Sequence, residues 1–160
     1  MSENKEKISV LFVCLGNICR SPSAEAVFKK KALDSGLDVK VDSAGTAGYK
    51  NGVAPDKRSQ GVGAERGYSF EGLKCRKLID KDFVKYDYIL GMDNQNIAKL
   101  LEACPEEFQH KVSLLLSFCE TEEQQVPDPY YSGKRGFEHV LDLIEQGVDG
   151  FVKHLNSNRT

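Results

Sequence analysis

The stretch that decides the fold is ISVLFVCLGNICRSP, residues 8–22. Its first part, residues 8–13, is a short apolar run rich in β-branched side chains, which is typical of a buried strand. A polar turn containing Gly16 follows, and Ser21-Pro22 is typical of a helix start because proline is tolerated in the first helical turn. The stretch therefore predicts a strand, a tight turn and a helix in direct succession.

Outward from this stretch, strands and helices alternate along the chain. Further strands are predicted over residues 39–43, 86–90 and 112–116. Strands that alternate with helices imply βαβ units, and such units build a parallel sheet with right-handed crossovers. In an open parallel sheet, ligands bind beyond the carboxyl ends of the strands. The turn after residue 13 lies at such an end.

The predicted helices are marked by apolar residues at helical spacing and by their boundary residues. The first ends at Gly36, the second runs over residues 55–66, and the third is capped by Asp93. The third is expected to turn Ile97, Leu100 and Leu101 inward. The last helix has the clearest apolar pattern, formed by Phe137, Val140, Leu141, Ile144, Val148, Phe151, Val152 and Leu155.

Length and charge set the class of protein. With 160 residues and a net charge of -2, the chain fits one domain and lacks the basic excess of a nucleic-acid binder. Residues 1–7 are predicted to be a polar extension and residues 8–157 the catalytic domain. No apolar signal region and no run of about 20 apolar residues is present, so a cytoplasmic protein that does not bind membranes is expected.

The cysteines and histidines do not show the spacing of a metal site. Five cysteines stand at positions 14, 19, 75, 104 and 119, an odd number that argues against a disulfide framework. Neither they nor the three histidines have zinc-ligand spacing. We therefore expect no structural metal.

The turn after the first strand, residues 14–20, is named the phosphate loop because its residues suit the cleavage of a phosphate ester. A nucleophilic cysteine must be ionised at neutral pH, and a strand-to-helix turn supplies converging N–H groups and the positive end of a helix. Gly16 and Asn17 tolerate the left-handed backbone that a loop around an anion needs. These features make Cys14 the candidate nucleophile.

Two side chains at the end of the phosphate loop complete the predicted anion site. The planar fork of Arg20 can hold two phosphate oxygens at once and stabilise the charge of the transition state, which lysine could not do. Ser21 is placed to donate a hydrogen bond to the Cys14 sulfur. A lone Cys-x5-Arg spacing is a weak signal, and the flanking strand, Ser-Pro and helix strengthen it.

The candidate general acid lies in the polar loop over residues 120–131, named the acid loop. Asp128 stands between Pro127 and Pro129, which stiffen the backbone around it. Tyr130 and Tyr131 could form walls for an aromatic ring. From spacing alone, an aspartate in an ordinary proline-rich turn is the simpler interpretation.

Residues 13–22 resemble the signature of the low-molecular-weight protein tyrosine phosphatases. The segments at 128–130, 42–46 and 92–93 are also similar to segments of that family, and the resemblance covers roughly residues 8–155. It implies an α/β fold: a single-domain, doubly wound, Rossmann-like, four-stranded parallel open sheet with helices on both faces. It implies hydrolysis of phosphotyrosine on a protein substrate through a phosphocysteine on Cys14, and it implies no metal and no cofactor.

The resemblance also assigns roles to individual residues. It implies Arg20 as phosphate clamp, Asp128 as acid and then base, and Ser21 and Ser43 as supports of the loop. The backbone around the phosphate is expected from five loop residues: Leu15, Gly16, Asn17, Ile18 and Cys19. Cys19 matches a redox partner that forms a reversible disulfide with Cys14. The substrate pocket is expected to include Ile18, Tyr49, Tyr130 and Tyr131.

The chain departs from the family pattern at two places. Family members usually carry a histidine after the position of Gly67 that bonds the loop asparagine, whereas residues 68–78 contain none. Tyr49 stands where many members carry tryptophan on the pocket rim. A monomer is expected, with exposed tyrosines as a surface for weak self-association.

Three other functions stay open on the sequence. Protein arginine phosphatases are similar but tend to carry threonine at the position of Ile18, whose bulk favours a flat phenyl ring. Arsenate reductases share the loop but need further cysteines for a disulfide relay, for which Cys75 is the available candidate. A phosphoprotein-binding module without turnover would not need Cys14, Arg20 and Asp128 together.

Overall fold

The computed structural model describes residues 7–48, 51–129 and 133–158. The strands are β1 (Ile8–Cys14), β2 (Val39–Gly45), β3 (Tyr88–Gly91) and β4 (Val112–Leu114). The helices are α1 (Arg20–Asp34), α2 (Lys57–Glu65), α3 (Lys81–Lys85), α4 (Asn94–Ala103) and α5 (Lys134–Ser157). Short 3₁₀ helices lie at Glu106–Lys111 and Leu115–Phe118.

Within the described residues the four strands form one sheet in the order β2-β1-β3-β4, and every pair is parallel. Strand β1 lies between β2 and β3. The chain therefore adds β2 on one side of β1 and then crosses over to add β3 and β4 on the other side. The register pairs Cys14 with Gly45 at the carboxyl end. This is the place where open parallel sheets bind ligands, and the predicted four-stranded parallel sheet is confirmed.

The alternation of side chains along β1 builds a core on each face of the sheet. Val10 and Phe12 belong to one buried cluster together with side chains of α1 and α5. Leu11 and Val13 belong to the other cluster, together with Phe83 of α3 and Leu100 of α4. Because successive strand residues point to opposite faces, helices cover both sides of the sheet, as the fold class predicts.

Both ends of α1 follow from the sequence. The helix begins at Arg20 with Pro22 in its first turn, where the missing N–H has no intrahelical partner to lose. It ends at Asp34, with Ser35 as the C-cap residue, and Gly36 adopts a left-handed φ of 72° while Leu37 N–H donates to Ala32 O. Such a glycine terminates a helix without the penalty that a Cβ would add. The predicted start and end of this helix are confirmed.

Two predictions about the second half of the chain need correction, and two short elements were not predicted. The third helix turns Leu100 inward but leaves Leu101 exposed, because the buried face of α4 follows Asn96, Leu100 and Cys104 at intervals of four residues. The fourth strand ends at Leu114, and residues 115–118 form a 3₁₀ helix that packs against α5. Helix α3 and the 3₁₀ helix at Glu106–Lys111 have no counterpart in the sequence prediction.

The described residues offer neither a membrane-spanning helix nor a cluster of metal ligands. None of their helices combines the length and the apolar character that crossing a bilayer requires. Their histidine, cysteine and acidic side chains form no group of three or more that could hold a metal ion. The domain boundaries at 8 and 157 stay a prediction, with β1 beginning at Ile8 and α5 ending at Ser157.

Candidate active site

The phosphate loop connects the end of β1 to the start of α1 at the carboxyl edge of the sheet. Cys14 is the last residue of the strand and Arg20 the first of the helix. Asn17 adopts a left-handed backbone, with φ of 56°, which asparagine tolerates better than most residues. Thr46 N–H and Ala47 N–H donate to Cys14 O and Leu15 O. The loop is therefore fastened to the residues that follow β2.

The Cys14 sulfur is buried and receives donors from the start of α1. Ser21 Oγ lies 3.0 Å from Sγ, and the backbone N–H of Ser21 donates to Sγ at 3.4 Å. The N–H groups of a first helical turn lack intrahelical partners and carry the positive end of the helix dipole. Both donors favour a negative charge on the sulfur.

The direction of the hydrogen bond between Ser21 and Cys14 follows from the buried network behind it. Asn17 Nδ2 has two hydrogens and donates them to Ser21 Oγ at 2.8 Å and Ser43 Oγ at 2.9 Å. Ser43 Oγ donates its own hydrogen to Glu25 Oε1 at 2.7 Å. Ser21 Oγ thus accepts from Asn17, and its hydrogen has two acceptors within reach, the sulfur at 3.0 Å and Ala44 O at 3.5 Å, of which the sulfur is the nearer. The network ends in donation to Cys14.

Glu25 anchors this network inside α1. Its side chain is 4% exposed, and Lys29 Nζ pairs with its second oxygen at 3.2 Å. Burial raises the pKa of Glu25 above its ordinary value, although the Ser43 hydrogen bond and Lys29 act in the opposite direction. The sequence prediction missed this residue; its signal was a charged side chain on the apolar face of a helix.

Arg20 is buried and held by the opposite side of the site. Its Nη1 donates to Asp93 Oδ2 at 2.6 Å and to Val126 O at 3.0 Å. Burial acts to lower the pKa of Arg20, but the Cys14 sulfur and the carboxylates of Asp93 and Asp128 raise it above its ordinary value. The guanidinium is a fixed cation beside the sulfur.

Asp93 has two roles, of which the sequence predicted only one. Its Oδ1 accepts from Asn96 N–H and caps α4, as predicted, while its Oδ2 holds Arg20. Asn96 Oδ1 accepts the N–H groups of Met92 and Asp93 in return. The cap was visible as a pattern, but the partner of its second oxygen is more than 70 residues away.

Asp128 lies on the exposed part of the acid loop. Its Oδ2 is 3.9 Å from Arg20 Nη2, and its side chain is 49% exposed. Val126 N–H donates to Met92 O at 2.8 Å, and Asn94 N–H donates to Gln125 Oε1 at 2.7 Å. These two bonds fasten the acid loop to the junction of β3 and α4, and they place Asp128 beside Arg20.

The other predicted site residues have different environments. Leu15 is 40% exposed at the loop, whereas Ile18 is half-buried and packs against the core. Tyr49, Tyr130 and Tyr131, the predicted aromatic walls, lie outside the described residues.

Cys19 occupies the N-cap position of α1 without a side-chain capping bond, and it is a buried cysteine that forms no disulfide. Burial raises the pKa of Cys19 to about 12, and the charges of Asp56, Cys14 and Asp128 add to this effect. The thiol is therefore protonated at neutral pH. Its chemistry differs from that of Cys14, whose sulfur has two donors directed at it.

Comparison with known proteins places the chain in a family. The family model for low molecular weight phosphotyrosine protein phosphatases matches residues 9–160. The low molecular weight protein-tyrosine-phosphatase YfkJ of Bacillus subtilis is 39% identical over 155 residues, covering 95% of this chain and 98% of the relative. A human low molecular weight phosphotyrosine protein phosphatase is 40% identical over 161 residues, covering 96% and 98% respectively.

Solved structures show the same fold. A crystal structure of a protein tyrosine phosphatase from Entamoeba histolytica, with Hepes in the active site, matches with a TM-score of 0.92 at 41% identity. It covers 96% of this chain and 100% of that chain. The crystal structure of YfkJ matches with a TM-score of 0.93 at 38% identity, covering 98% and 99%. The chain therefore belongs to the low molecular weight phosphotyrosine protein phosphatase family.

Proposed function

We propose that this protein hydrolyses phosphotyrosine on protein substrates through a phosphocysteine intermediate on Cys14. The observation that carries the proposal is the buried sulfur with two donors from Ser21 directed at it. A buried guanidinium, Arg20, raises the positive potential at the same place. A sulfur in such surroundings is a nucleophile rather than a core thiol.

In the first step, the Cys14 thiolate attacks phosphorus and the bond from phosphorus to the phenolic oxygen breaks. The electron pair of that bond goes to the oxygen, and Asp128 supplies the proton that makes it a neutral phenol. Arg20 and the N–H groups of residues 15–19 hold the phosphate oxygens as charge develops on them. The product of this step is phosphocysteine.

In the second step, a water molecule attacks the phosphocysteine while the Asp128 carboxylate takes its proton. The bond from phosphorus to sulfur breaks, and its electron pair returns to Cys14 as a thiolate. The Ser21 hydroxyl stabilises this leaving group because the buried network directs its hydrogen toward the sulfur. Inorganic phosphate then leaves, and the enzyme is ready for another turnover.

The proposed scheme draws its positive charge and its proton from side chains alone. Arg20 supplies the cation, Asp128 the proton, and Asn17, Ser21 and Ser43 the fixed network. No cofactor takes part in either step. Ile18, Tyr49, Tyr130 and Tyr131 remain the proposed walls for the aromatic ring of the substrate.

A substrate panel tests the proposal. Wild type and Cys14→Ser are assayed with matched phosphotyrosine, phosphoserine and phosphoarginine peptides and with p-nitrophenyl phosphate. We expect phosphotyrosine and the aryl phosphate to be hydrolysed and both activities to disappear in Cys14→Ser. Rapid quenching with phosphorus-32 substrate should trap label on the wild-type chain.

The same panel separates the alternative functions. A preference for phosphoarginine that increases in Ile18→Thr would favour an arginine phosphatase, and arsenate-dependent oxidation of thioredoxin would favour an arsenate reductase. Binding of phosphopeptides without hydrolysis would leave only a binding module. Each of these outcomes would overturn the proposed activity.

We also propose Cys19 as a redox partner of the nucleophile. A peroxide oxidises the Cys14 thiolate to a sulfenic acid, and attack by the Cys19 sulfur forms the disulfide with release of water. The protonated state of Cys19 makes the second step slow at neutral pH. Mass spectrometry of peroxide-treated protein should show a Cys14–Cys19 peptide that reductant removes, and its absence would contradict the role.

Three further properties belong to the proposal. We propose a cytoplasmic protein, a tyrosine-phosphorylated protein as its substrate, and a monomer as its functional state with weak self-association at high concentration. Sedimentation velocity over a range of concentrations tests the last of these.

A further inference from the structure

The carbonyl of the central asparagine of the phosphate loop is held from outside the loop. Asn17 is fully buried, and its Oδ1 accepts the backbone N–H of Arg76 at 2.8 Å. This bond completes the set that begins with Ser21 and Ser43 on Nδ2. Residues 68–78 lack the histidine that the resemblance predicts as a partner of Asn17. In this chain a backbone N–H, that of Arg76, donates to Asn17 Oδ1.

The peptide of Arg76 is fixed on both of its sides. Its carbonyl accepts the N–H of Gly45 at 2.9 Å, and Gly45 O accepts Leu78 N–H at 2.8 Å. A Cβ at residue 45 would lie 2.8 Å from Leu15 O and 2.9 Å from Gly16 C. The segment around Arg76 thus extends the edge of the sheet directly under the phosphate loop, so a shift of this segment would reach the loop backbone.

The Arg76 side chain anchors the segment to two separate elements. Its Nη1 and Nη2 donate to the two oxygens of Asp82 on α3 at 3.0 Å each, and its Nε donates to Asp42 on β2 at 3.0 Å. The Asp82 side chain is only 4% exposed. Asp42 directly precedes Ser43, which itself holds Asn17. A planar guanidinium can make this three-point attachment, and an ammonium group cannot.

We infer that Arg76 is a positioning residue for the reaction: its ion pairs with Asp42 and Asp82 hold its own backbone N–H against Asn17 and so keep the phosphate loop in its anion-binding shape. The inference rests on the proposed role of this loop. In this view the role of α3 is to place Asp82 against the Arg76 side chain. The hydrogen bond from Arg76 N–H to Asn17 Oδ1 is its direct contact with the phosphate loop, so Asn17 is the route by which we expect its effect to reach the site.

The test compares two identical substitutions, Arg76→Lys and Arg66→Lys. Arg66 is the matched control, because its side chain is also 29% exposed and also pairs with two carboxylates, Asp142 and Glu145. Inorganic phosphate is the probe, and its dissociation constant is measured by calorimetry. We expect Arg76→Lys to raise this constant about tenfold and Arg66→Lys to leave it within about twofold.

A double-mutant cycle shows whether the effect passes through Asn17. Asn17→Gly removes the side chain while keeping left-handed freedom, and in this background Arg76→Lys should cause no further loss of phosphate affinity. An equal tenfold loss in both backgrounds would overturn the inference, as would wild-type affinity in Arg76→Lys. If Arg76→Lys does not fold by circular dichroism, Asp42→Asn takes its place in the same cycle.

Phosphate binding and turnover give separate answers. Calorimetry reports the shape of the loop whether or not the protein hydrolyses anything, so a failed cycle contradicts the role of Arg76 alone. Absence of aryl phosphatase activity in wild type contradicts the proposed function alone. In the active enzyme, the kcat for p-nitrophenyl phosphate should fall in Arg76→Lys, and Arg76→Lys should cause no further fall in the Asn17→Gly background.

Discussion

The phosphate loop and the acid loop serve the same proposed reaction but are built in opposite ways. In the phosphate loop, the side chains of Cys14, Asn17, Arg20 and Ser21 belong to residues that are at most 2% exposed. In the acid loop, the Asp128 side chain is 49% exposed. Groups that stabilise developing charge must be fixed and dry before the reaction begins, whereas a group that exchanges a proton with water must reach solvent. The difference predicts that substitutions in the first region cost more than those in the second.

The largest effect is expected for Arg20→Lys. A lysine cannot hold Asp93, Val126 O and a phosphate at once, so kcat for p-nitrophenyl phosphate should fall by about a thousandfold. Steady-state kinetics measure the loss, with Arg66→Lys as the control for a surface arginine. A loss smaller than about tenfold would show that the buried clamp is not what stabilises the transition state.

A smaller effect that depends on the leaving group is expected for Asp128→Asn. Without a proton donor, hydrolysis of phenyl phosphate should slow by about a hundredfold. The slowing should be much weaker for p-nitrophenyl phosphate, whose leaving group needs little protonation. The ratio of the two kcat values measures this directly. Equal slowing of both substrates would remove Asp128 from the acid role.

The exposed loop should tolerate loss of a tether. Gln125→Ala removes the acceptor for Asn94 N–H and loosens the attachment of the acid loop to α4. We expect phenyl phosphate hydrolysis to slow by about threefold, with p-nitrophenyl phosphate almost unaffected, because an exposed hydrogen bond contributes little. The neighbouring Gln124→Ala is the control. A hundredfold loss would mean that the acid loop is as rigid as the phosphate loop.

The smallest effect concerns stability and its dependence on pH. Burial raises the pKa of Glu25 in the folded state, so the folded protein holds a proton that the unfolded chain has already released. The free energy of unfolding therefore falls as pH rises from the ordinary carboxyl range to the raised value. Glu25→Gln removes this titration. The urea midpoint of the variant relative to that of wild type should be higher at about pH 7 than at about pH 4. A relative midpoint that is lower at about pH 7 would contradict the sign.

The two regions also differ in what the sequence could predict. The order strand, turn, helix around Cys14 is local, so periodicity and boundary residues were enough to predict it, and the left-handed Asn17 followed from residue type. The partners of Arg20 could not be predicted, because Asp93 and Val126 are brought to it by the folding of distant segments. Val126 contributes a backbone carbonyl, which leaves no trace in the residue type.

Short elements were missed for a related reason. Helix α3 has five residues, too few to show a helical period, and its importance comes from Asp82 pairing with Arg76. The 3₁₀ helix at Leu115–Phe118 continues the apolar run of β4, and such a run is equally compatible with a strand and with a buried turn. Leu101 was misplaced because apolar spacing alone does not fix which edge of a helical stripe meets the sheet.

The bond between Arg20 and Val126 O spans 106 positions of the chain, and this has a consequence for biosynthesis. A growing polypeptide can form the first three strands on the ribosome, yet its anion cradle lacks one wall until the residues around Val126 have emerged. The Arg20 guanidinium therefore gains this contact only in a nearly finished fold, and a ligand that binds the finished site stabilises that fold alone.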